Sequence, residues 1–204
     1  MTHLSRRAFV TAVAGSLLVS CGGHGGGGAT AARPGDTHVT PRPAADPSEA
    51  ARSRSVPVRL RIPGIGVDTP VMRLGLEQDG TVQVPPITAH DQAGWYQNSP
   101  TPGRTGPSVI LGHVTVGPYG DGVFRRLDRL RRGDEITVRL ENGTSAEFTV
   151  TSLRTVAKAE FPTEAVYGDV ARPELRLITC GGPRTGDGYR DNVIVFAALR
   201  TTRN

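Results

Sequence analysis

The sequence predicts a mainly β domain that folds as a closed or nearly closed β-barrel or as a β-sandwich. Eight short runs rich in β-branched residues follow one another in the second part of the chain, and turn residues separate them. Glycine and proline make up about a fifth of the 204 residues, against about 12% in average usage, so turns must be abundant. Both observations favour short strands joined by tight connections.

The eight predicted strands can be read off in chain order. They lie at residues 58–62, 67–72, 81–84, 108–111, 135–140, 145–153, 175–179 and 193–199. The first alternates strictly between apolar and charged residues, and Asn142-Gly143 between the fifth and the sixth is typical of a hairpin turn. Only residues 123–130 look helical, because Phe124, Leu127 and Leu130 would share one face. We therefore expect one or two short helices beside the strands.

Residues 1–21 have the features of an export signal rather than of a folded element. Arg6 and Arg7 supply a positive start, and the uncharged stretch at 8–20 has 13 residues. A span of the hydrocarbon core needs about 20 residues, whereas secretory signals use 7 to 15. This segment is therefore excluded from the predicted fold.

Two motifs refine the export prediction. Residues 5–10, Ser-Arg-Arg-Ala-Phe-Val, resemble the twin-arginine export motif, and residues 18–21, Leu-Val-Ser-Cys, resemble the lipobox of bacterial lipoproteins. They predict cleavage before Cys21 and attachment of lipid to its sulfur. The alternative is an incidental thiol at the end of an uncleaved N-terminal anchor. Either reading predicts a protein tethered to the extracellular face of the cell membrane.

Residues 22–55 form a predicted linker, and the folded domain is predicted at 56–204. The linker contains no Leu, Ile, Met or aromatic residue, so it buries too little apolar surface to offset the entropy of ordering. Its glycine run at 25–28 and its prolines make it a flexible to extended spacer.

Composition excludes several classes of protein. The net charge of +5 is modest, aromatic residues make up 5% of the chain, and no basic stripe interleaved with aromatics is visible, so we expect no nucleic-acid partner. Cys21 and Cys180 are the only cysteines, which excludes a disulfide-rich scaffold. No His-Glu-x-x-His, paired Cys-x-x-Cys or EF-hand spacing occurs, so we expect neither a metal nor another cofactor.

Cys180 is the first candidate for chemistry. It follows the apolar strand at 175–179 and precedes Gly-Gly-Pro at 181–183, so its thiol is placed to face a cleft. From these residues alone, a nucleophile and a structural cysteine are equally good interpretations. A nucleophile would need a base or a cation nearby, because an ordinary thiol is only a few per cent thiolate at neutral pH.

The predicted domain contains two histidines, His90 and His113. His113 ends the apolar run at 109–112, as Cys180 ends its own, so the two side chains meet if both strands open on the same rim. His90 lies in a predicted loop and is better interpreted as a surface or turn residue.

An acyl-transfer reaction also needs positive charge where the oxyanion forms. Arg190 directly precedes the strand at 193–199, beyond the loop that Cys180 begins, and a return of that strand would bring it toward the thiol. Arg184, inside the same loop, is the rival. We favour Arg190.

Taken in order, these motifs resemble the sortase family. Residues 177–180, Leu-Ile-Thr-Cys, resemble its Leu-x-Thr-Cys signature, and Leu-Gly-His at 111–113 resembles its histidine motif. Residues 189–192, Tyr-Arg-Asp-Asn, resemble the segment that carries its arginine. The match runs from about residue 56 to residue 199.

Two further segments resemble class F sortases in particular. They are Pro-Gly-Ile-Gly-Val at 63–67 and Gly-Trp-Tyr at 94–96. The chain also departs from the family, because Arg176 stands where sortases often have threonine.

The resemblance implies a closed eight-stranded sortase β-barrel and a cysteine transpeptidase. Cys180 would be the nucleophile that forms a thioacyl intermediate with an LPxTG-like sorting signal, and His113 would be the acid and base. Arg190 would hold the substrate and the oxyanion, and Thr179 would help to position the substrate. An amine such as that of a cell-wall precursor, or water, would resolve the thioester.

Two other functions remain open from the sequence. One is a different cysteine enzyme of the cell envelope, such as a peptidoglycan peptidase or L,D-transpeptidase, although their local motifs are not found. The other is a non-enzymatic β-barrel lipoprotein that binds a ligand or partner, in which Cys180 is ordinary packing. Thiol reactivity separates them, because a buried structural thiol is inert.

Overall fold

A computed structural model of the chain describes residues 55–186 and 188–200. The predicted export signal, Cys21 and all of the predicted linker but its last residue lie outside these ranges. Within them, no helix has both the length and the apolar character needed to cross a membrane.

The described chain contains ten strands. They are β1 (Pro57–Ile62), β2 (Val67–Leu74), β3 (Ala93–Tyr96), β4 (Gly106–Leu111), β5 (Thr115–Val116), β6 (Gly120–Asp121), β7 (Glu135–Leu140), β8 (Ser145–Ala157), β9 (Pro173–Thr185) and β10 (Gly188–Leu199). Eight of them close into a barrel in the order β1-β2-β3-β4-β9-β10-β8-β7, while β5 and β6 pair with each other. The prediction of a closed eight-stranded barrel is confirmed, and the sandwich alternative is wrong.

Most neighbouring strands of the barrel are antiparallel, but β2 and β3, and likewise β4 and β9, are parallel. In the β4–β9 ladder Val109 lies opposite Arg176 and Leu111 lies opposite Ile178. Because the two strands run in the same direction, the residues that follow Leu111 and Ile178 emerge at the same edge of the sheet.

The apolar residues form two cores on opposite sides of the sheet. The larger fills the barrel and includes Leu177, Val195 and the fully buried Phe124. The smaller lies outside the barrel, where Val109 and Ile178 pack beneath the helix α1 (Thr163–Tyr167). β4, β9 and β10 are therefore covered on both faces, which explains why their sequences read as continuous apolar runs.

Arg176 fastens α1 to the outside of the barrel. Its side chain is 3% exposed, its Nη2 lies 2.7 Å from a carboxylate oxygen of Glu174, and its Nε donates to the Ala165 carbonyl at 3.2 Å. The guanidinium carbon also lies 4.7 Å from the centre of the Phe196 ring. Arg176 therefore anchors α1, and with it the connection between β8 and β9, to the barrel.

The predicted strand at 81–84 is wrong, and the third barrel strand is β3 instead. Val82 makes only an isolated bridge to Leu76, and Val84 is exposed. β3 escaped prediction because alanine and glycine have low β-propensity. Gly94 is needed there because a Cβ at this position would overlap the Leu74 side chain.

The predicted helix at 123–130 is also wrong as an α-helix, although its apolar face is buried as expected. The Val123 amide donates to the His90 carbonyl at 2.9 Å and the Phe124 amide to the His113 carbonyl at 2.8 Å. These two bonds tie the start of the segment to distant residues, and the later amides of Leu127 and Arg129 bond to carbonyls three residues back rather than four, so the segment contains only a 3-10 turn, at Leu127–Arg129. The single α-helix among the described residues, α1, is five residues long and lacks a longer amphipathic pattern.

We expect Arg176→Ala to lower the free energy of unfolding by about 2–3 kcal/mol, because it leaves Glu174 and the Ala165 carbonyl without their buried donor. Urea unfolding of the two proteins measures the difference. Arg154→Ala is the matched control, since exposed Arg154 lies over the same Phe196 ring at 5.1 Å without the other contacts. Equal losses in the two variants would contradict the role of Arg176 as an anchor.

Candidate active site

Cys180 lies in the outward-facing row of β9 at the edge of the barrel. Leu175 and Leu177 point into the barrel core and Ile178 packs outside it, so alternation along the strand gives Cys180 the outer face. The thiol is free and half-buried, and Asn192 of β10 lies opposite it. A residue at the edge of a packed sheet is rigidly held and still within reach of solvent.

β9 does not end before Cys180, as the sequence predicts, but continues to Thr185. The extension pairs with β10 across a bulge between Tyr189 and Asp191. The two strands therefore project beyond the barrel as a hairpin, and the expected Gly-rich loop is mostly strand. Glycine and proline at 181–183 concealed this extension, because both residues are depleted in strands.

His113 lies two residues beyond the end of β4, just as Cys180 lies two residues beyond Ile178. Adjacent strands are about 4.8 Å apart, so the two residues begin from neighbouring backbone positions. The Gly112 amide donates to the Ile178 carbonyl at 3.1 Å, which continues the ladder as far as the histidine. The structure thus brings the two predicted residues to one edge of the barrel.

The imidazole ring of His113 is held by the backbone of another segment. Its Nε2 lies 2.6 Å from the Pro85 carbonyl oxygen. A carbonyl only accepts hydrogen bonds, so Nε2 carries the hydrogen and Nδ1 is the nitrogen that remains to exchange a proton. Pro85 was not predicted as a site residue, since no sequence signal marks a backbone acceptor.

Thr179 links the two strand ends through its side chain. It is 4% exposed, and its hydroxyl donates to the Gly112 carbonyl at 2.7 Å. This bond fixes the peptide that precedes His113 relative to the residue that precedes Cys180. The structure therefore gives Thr179 a contact that positions the site, and its predicted contact with substrate stays a prediction.

Neither candidate arginine lines the hollow that borders Cys180. Arg190 is exposed at the bulge of β10, in a separate hollow with Lys158, Pro183 and Asp191. It lies two residues from Asn192, the cross-strand neighbour of Cys180. Arg184 is exposed farther along the projecting hairpin, opposite Tyr189.

A hollow of about 270 Å³ opens beside Cys180 at the mouth of the barrel. Its floor contains the buried residues Phe124, Thr179 and Val193, and its walls carry Arg125, Asp128, Thr155 and Tyr189. None of these wall residues was predicted as a site residue. Arg125 and Asp128 are polar residues of the amphipathic segment 123–130. The polar face of that segment was the one sequence feature that could have pointed to them.

A second hollow, of about 470 Å³, lies along the outside of the barrel. We call it the outer groove; it is lined by Leu76, Val82, Tyr96, Pro107, Thr163 and Tyr167, among others. The rings of Tyr96 and Tyr167 meet edge to face at 6.2 Å, and burial raises the pKa of the Tyr167 phenol. Its walls are mainly apolar and aromatic.

His90 ends the 3-10 turn Ile87–Ala89, in keeping with its interpretation as a turn residue. It is half-buried, and its ring stacks on Tyr119 with the ring centres 5.5 Å apart. Within residues 55–186 and 188–200, no group of three or more His, Cys, Asp or Glu side chains is arranged to hold a metal ion.

A family model for the sortase domain matches residues 60–200. The chain belongs to the sortase family. Sortases are cysteine transpeptidases that act on sorting-signal peptides and amine acceptors. No curated protein sequence matches the chain.

Solved sortase structures share the fold. Sortase C-1 from Actinomyces oris is 23% identical, with 71% of this chain and 73% of that chain covered and a TM-score of 0.56. A lid mutant of sortase A from Corynebacterium diphtheriae is 20% identical, with 75% of each chain covered and a TM-score of 0.58. A sortase D5 transpeptidase from Clostridium perfringens is 24% identical over 70% of this chain and 78% of that chain, with a TM-score of 0.52.

We expect Thr179→Val to lower the free energy of unfolding by about 1–2 kcal/mol, because the Gly112 carbonyl loses its buried donor. The nitrogen NMR signals of the His113 ring should also shift, since the peptide before it is no longer fixed. Thr179→Ser keeps the hydroxyl and is the matched control. Unchanged His113 signals in Thr179→Val would contradict the positioning role.

Proposed function

We propose that this sortase is a membrane-tethered extracellular enzyme that cleaves an LPxTG-like sorting signal through a thioacyl intermediate on Cys180. The acyl part is then transferred to an amine or to water. The observation that carries the proposal is the parallel β4–β9 ladder, which starts His113 and Cys180 from neighbouring positions beside an open hollow.

In the first half-reaction the Cys180 thiolate attacks the carbonyl carbon of the scissile peptide bond. The C–N bond breaks, and the His113 imidazolium gives its Nδ1 proton to the leaving amine. The carbonyl of Pro85 holds Nε2–H throughout, so the ring does not have to turn between the two half-reactions. In the second half-reaction the acceptor attacks the thioester carbon, the C–S bond breaks to release the Cys180 thiolate, and imidazole takes the acceptor's proton.

The apolar part of the sorting signal has a complementary surface in the outer groove. The groove lies on the same side of the sheet as Cys180 and offers the Tyr96 and Tyr167 rings as walls. Leucine and proline side chains would bury apolar surface there. Arg176 supports this surface from below, because it anchors α1, which carries Tyr167.

Arg190 is the proposed partner of the oxyanion and of the substrate backbone. Its position at the β10 bulge, two residues from Asn192, lets a long side chain reach the outer side of Cys180. A guanidinium beside the developing negative charge would stabilise the transition state more than the ground state. Arg184 is farther from the thiol along the hairpin.

The proposal also assigns the protein to class F and tethers it to the membrane. The class rests on the segments 63–67 and 94–96, and the tether rests on the twin-arginine-like and lipobox-like motifs that end at Cys21. Lipid on Cys21, followed by the linker at 22–55, would hold the barrel away from the membrane surface.

We expect Cys180→Ala to abolish turnover of an LPxTG-type peptide and His113→Asn to reduce it by about 10²- to 10⁴-fold, as expected for loss of a general acid–base. Peptide products and the thioacyl enzyme are followed by mass spectrometry, with and without an added amine. His90→Asn is the matched control and should stay near wild type.

The same samples are treated with iodoacetamide to test the alternatives. Near wild-type cleavage by Cys180→Ala would sink the proposal. A folded protein that neither cleaves the peptide nor reacts at Cys180 would favour the non-enzymatic lipoprotein. A reactive thiol without cleavage would point to a different peptide substrate.

We expect Arg190→Ala to lower kcat by about 100-fold or more through loss of oxyanion stabilisation. Arg184→Ala, which removes the same charge from the same hairpin, should change kcat by less than about threefold, as for other surface changes. Steady-state kinetics with one peptide measure both. The reverse order of effects would assign the role to Arg184.

A further inference from the structure

Cys180 can be approached from two sides. Its place in the outward-facing row of β9 turns it toward the side of the outer groove, but it also forms part of the rim of the 270 Å³ hollow at the barrel mouth. The floor of that hollow comes from the opposite face of the sheet, since Thr179 and Val193 alternate with the outward residues. The hollow and the outer groove share no lining residue.

The 270 Å³ hollow beside Cys180, which we call the mouth hollow, carries two charged side chains with different surroundings. Arg125 is neutralised locally, because its Nε donates to Asp121 at 2.9 Å. Asp128 forms no ion pair with any residue in the part of the chain that the structure describes. Asp128 is therefore the charged group of this hollow that has no ion-pair partner among the described residues.

One neutral polar group of the hollow is already hydrogen-bonded. The Tyr189 hydroxyl lies 2.7 Å from the Thr115 hydroxyl, so each has a partner already. The floor is apolar at Phe124 and Val193. A ligand that fits would combine a flexible alkyl chain with a positively charged end.

We infer that the mouth hollow binds the acceptor and that the Asp128 carboxylate holds its ammonium group. This inference rests on the proposed function, because it assigns the second substrate of the same thiol. The acceptor class is a primary amine on an alkyl chain, which is cationic when it arrives. The acyl chain can stay in the outer groove while the amine reaches the thioester from the barrel mouth.

The transfer step balances with the residues present. The ammonium gives one proton to neutral His113, and the free amine attacks the thioester carbon. The new C–N bond forms as the C–S bond breaks, and the sulfur leaves as thiolate. The second proton of the attacking nitrogen goes to the thiolate or to solvent, which leaves an amide, an imidazolium and the free enzyme.

We expect Asp128→Asn to raise the apparent KM for L-lysine amide about fivefold to tenfold, the size of one exposed, charge-assisted hydrogen bond. The full-length wild-type and variant proteins are compared with one fluorescent LPxTG-type peptide, and the ratio of transfer to hydrolysis is read by chromatography. The increase in apparent KM should be much smaller with hydroxylamine, because this acceptor is mostly uncharged at pH 7. Asp128→Glu, which keeps the carboxylate, should restore transfer.

Glu141→Gln is the matched control, because it removes one exposed negative charge at the β7–β8 turn. Equal changes in this variant and in Asp128→Asn would overturn the inference, as would equal losses with lysine amide and hydroxylamine. Cleavage of the peptide with normal lysine amide transfer by Asp128→Asn would overturn the inference and leave the proposed function standing. If wild type forms no thioacyl enzyme with the peptide, the proposed function fails and the inference fails with it.

Discussion

The parallel pairing of β4 with β9 is the constraint on which the site depends. Because the two strands run in the same direction, the register of Leu111 with Ile178 decides which residues of β9 lie beside the end of β4. The Gly112 amide and the Thr179 hydroxyl extend this register past the last residue of β4. Histidine and cysteine are 67 residues apart in sequence, yet their backbone positions are set by one ladder.

Burial on both faces of the sheet keeps that register from slipping. A shift by one residue would turn Leu177 outward and would place Ile178 and Cys180 inside the barrel. The outer core beneath α1 also opposes such a shift, because it buries Val109 and Ile178 on the outward face. Arg176 adds a specific contact, since its bonds to Glu174 and Ala165 form only when it faces outward. Arg176, which departs from the sortase signature, thus helps to keep Thr179 and Cys180 of that signature in register with β4.

Much of this architecture was accessible from sequence because it depends on local patterns. Apolar β-branched runs located seven of the eight barrel strands, and the ends of two such runs indicated that His113 and Cys180 would meet if both runs opened on the same rim. β3 was missed because its Ala-Gly start reflects a close approach to Leu74, a tertiary constraint. The helix at 123–130 was overpredicted because the spacing of its apolar residues predicts burial of one face, whereas its amides at Leu127 and Arg129 bond three residues back, as in a 3-10 turn. The positions of Asp128 near Cys180 and of the Pro85 carbonyl beside His113 could not be predicted, because they depend on how distant segments pack together.

A thiol at the edge of a sheet suits a reaction that uses one nucleophile for two substrates in turn. If the acyl chain stays in the outer groove after the first half-reaction, as proposed, the second substrate needs a different path to the same carbonyl carbon. In a closed barrel the sheet itself separates the two paths, with the outer groove on one face and the mouth hollow on the other. Water can use the mouth hollow as well as an amine can, and a carboxylate on its wall concentrates cations rather than water. The charge of Asp128 would therefore bias the fate of the thioester toward transfer, without any change in the chemistry at Cys180.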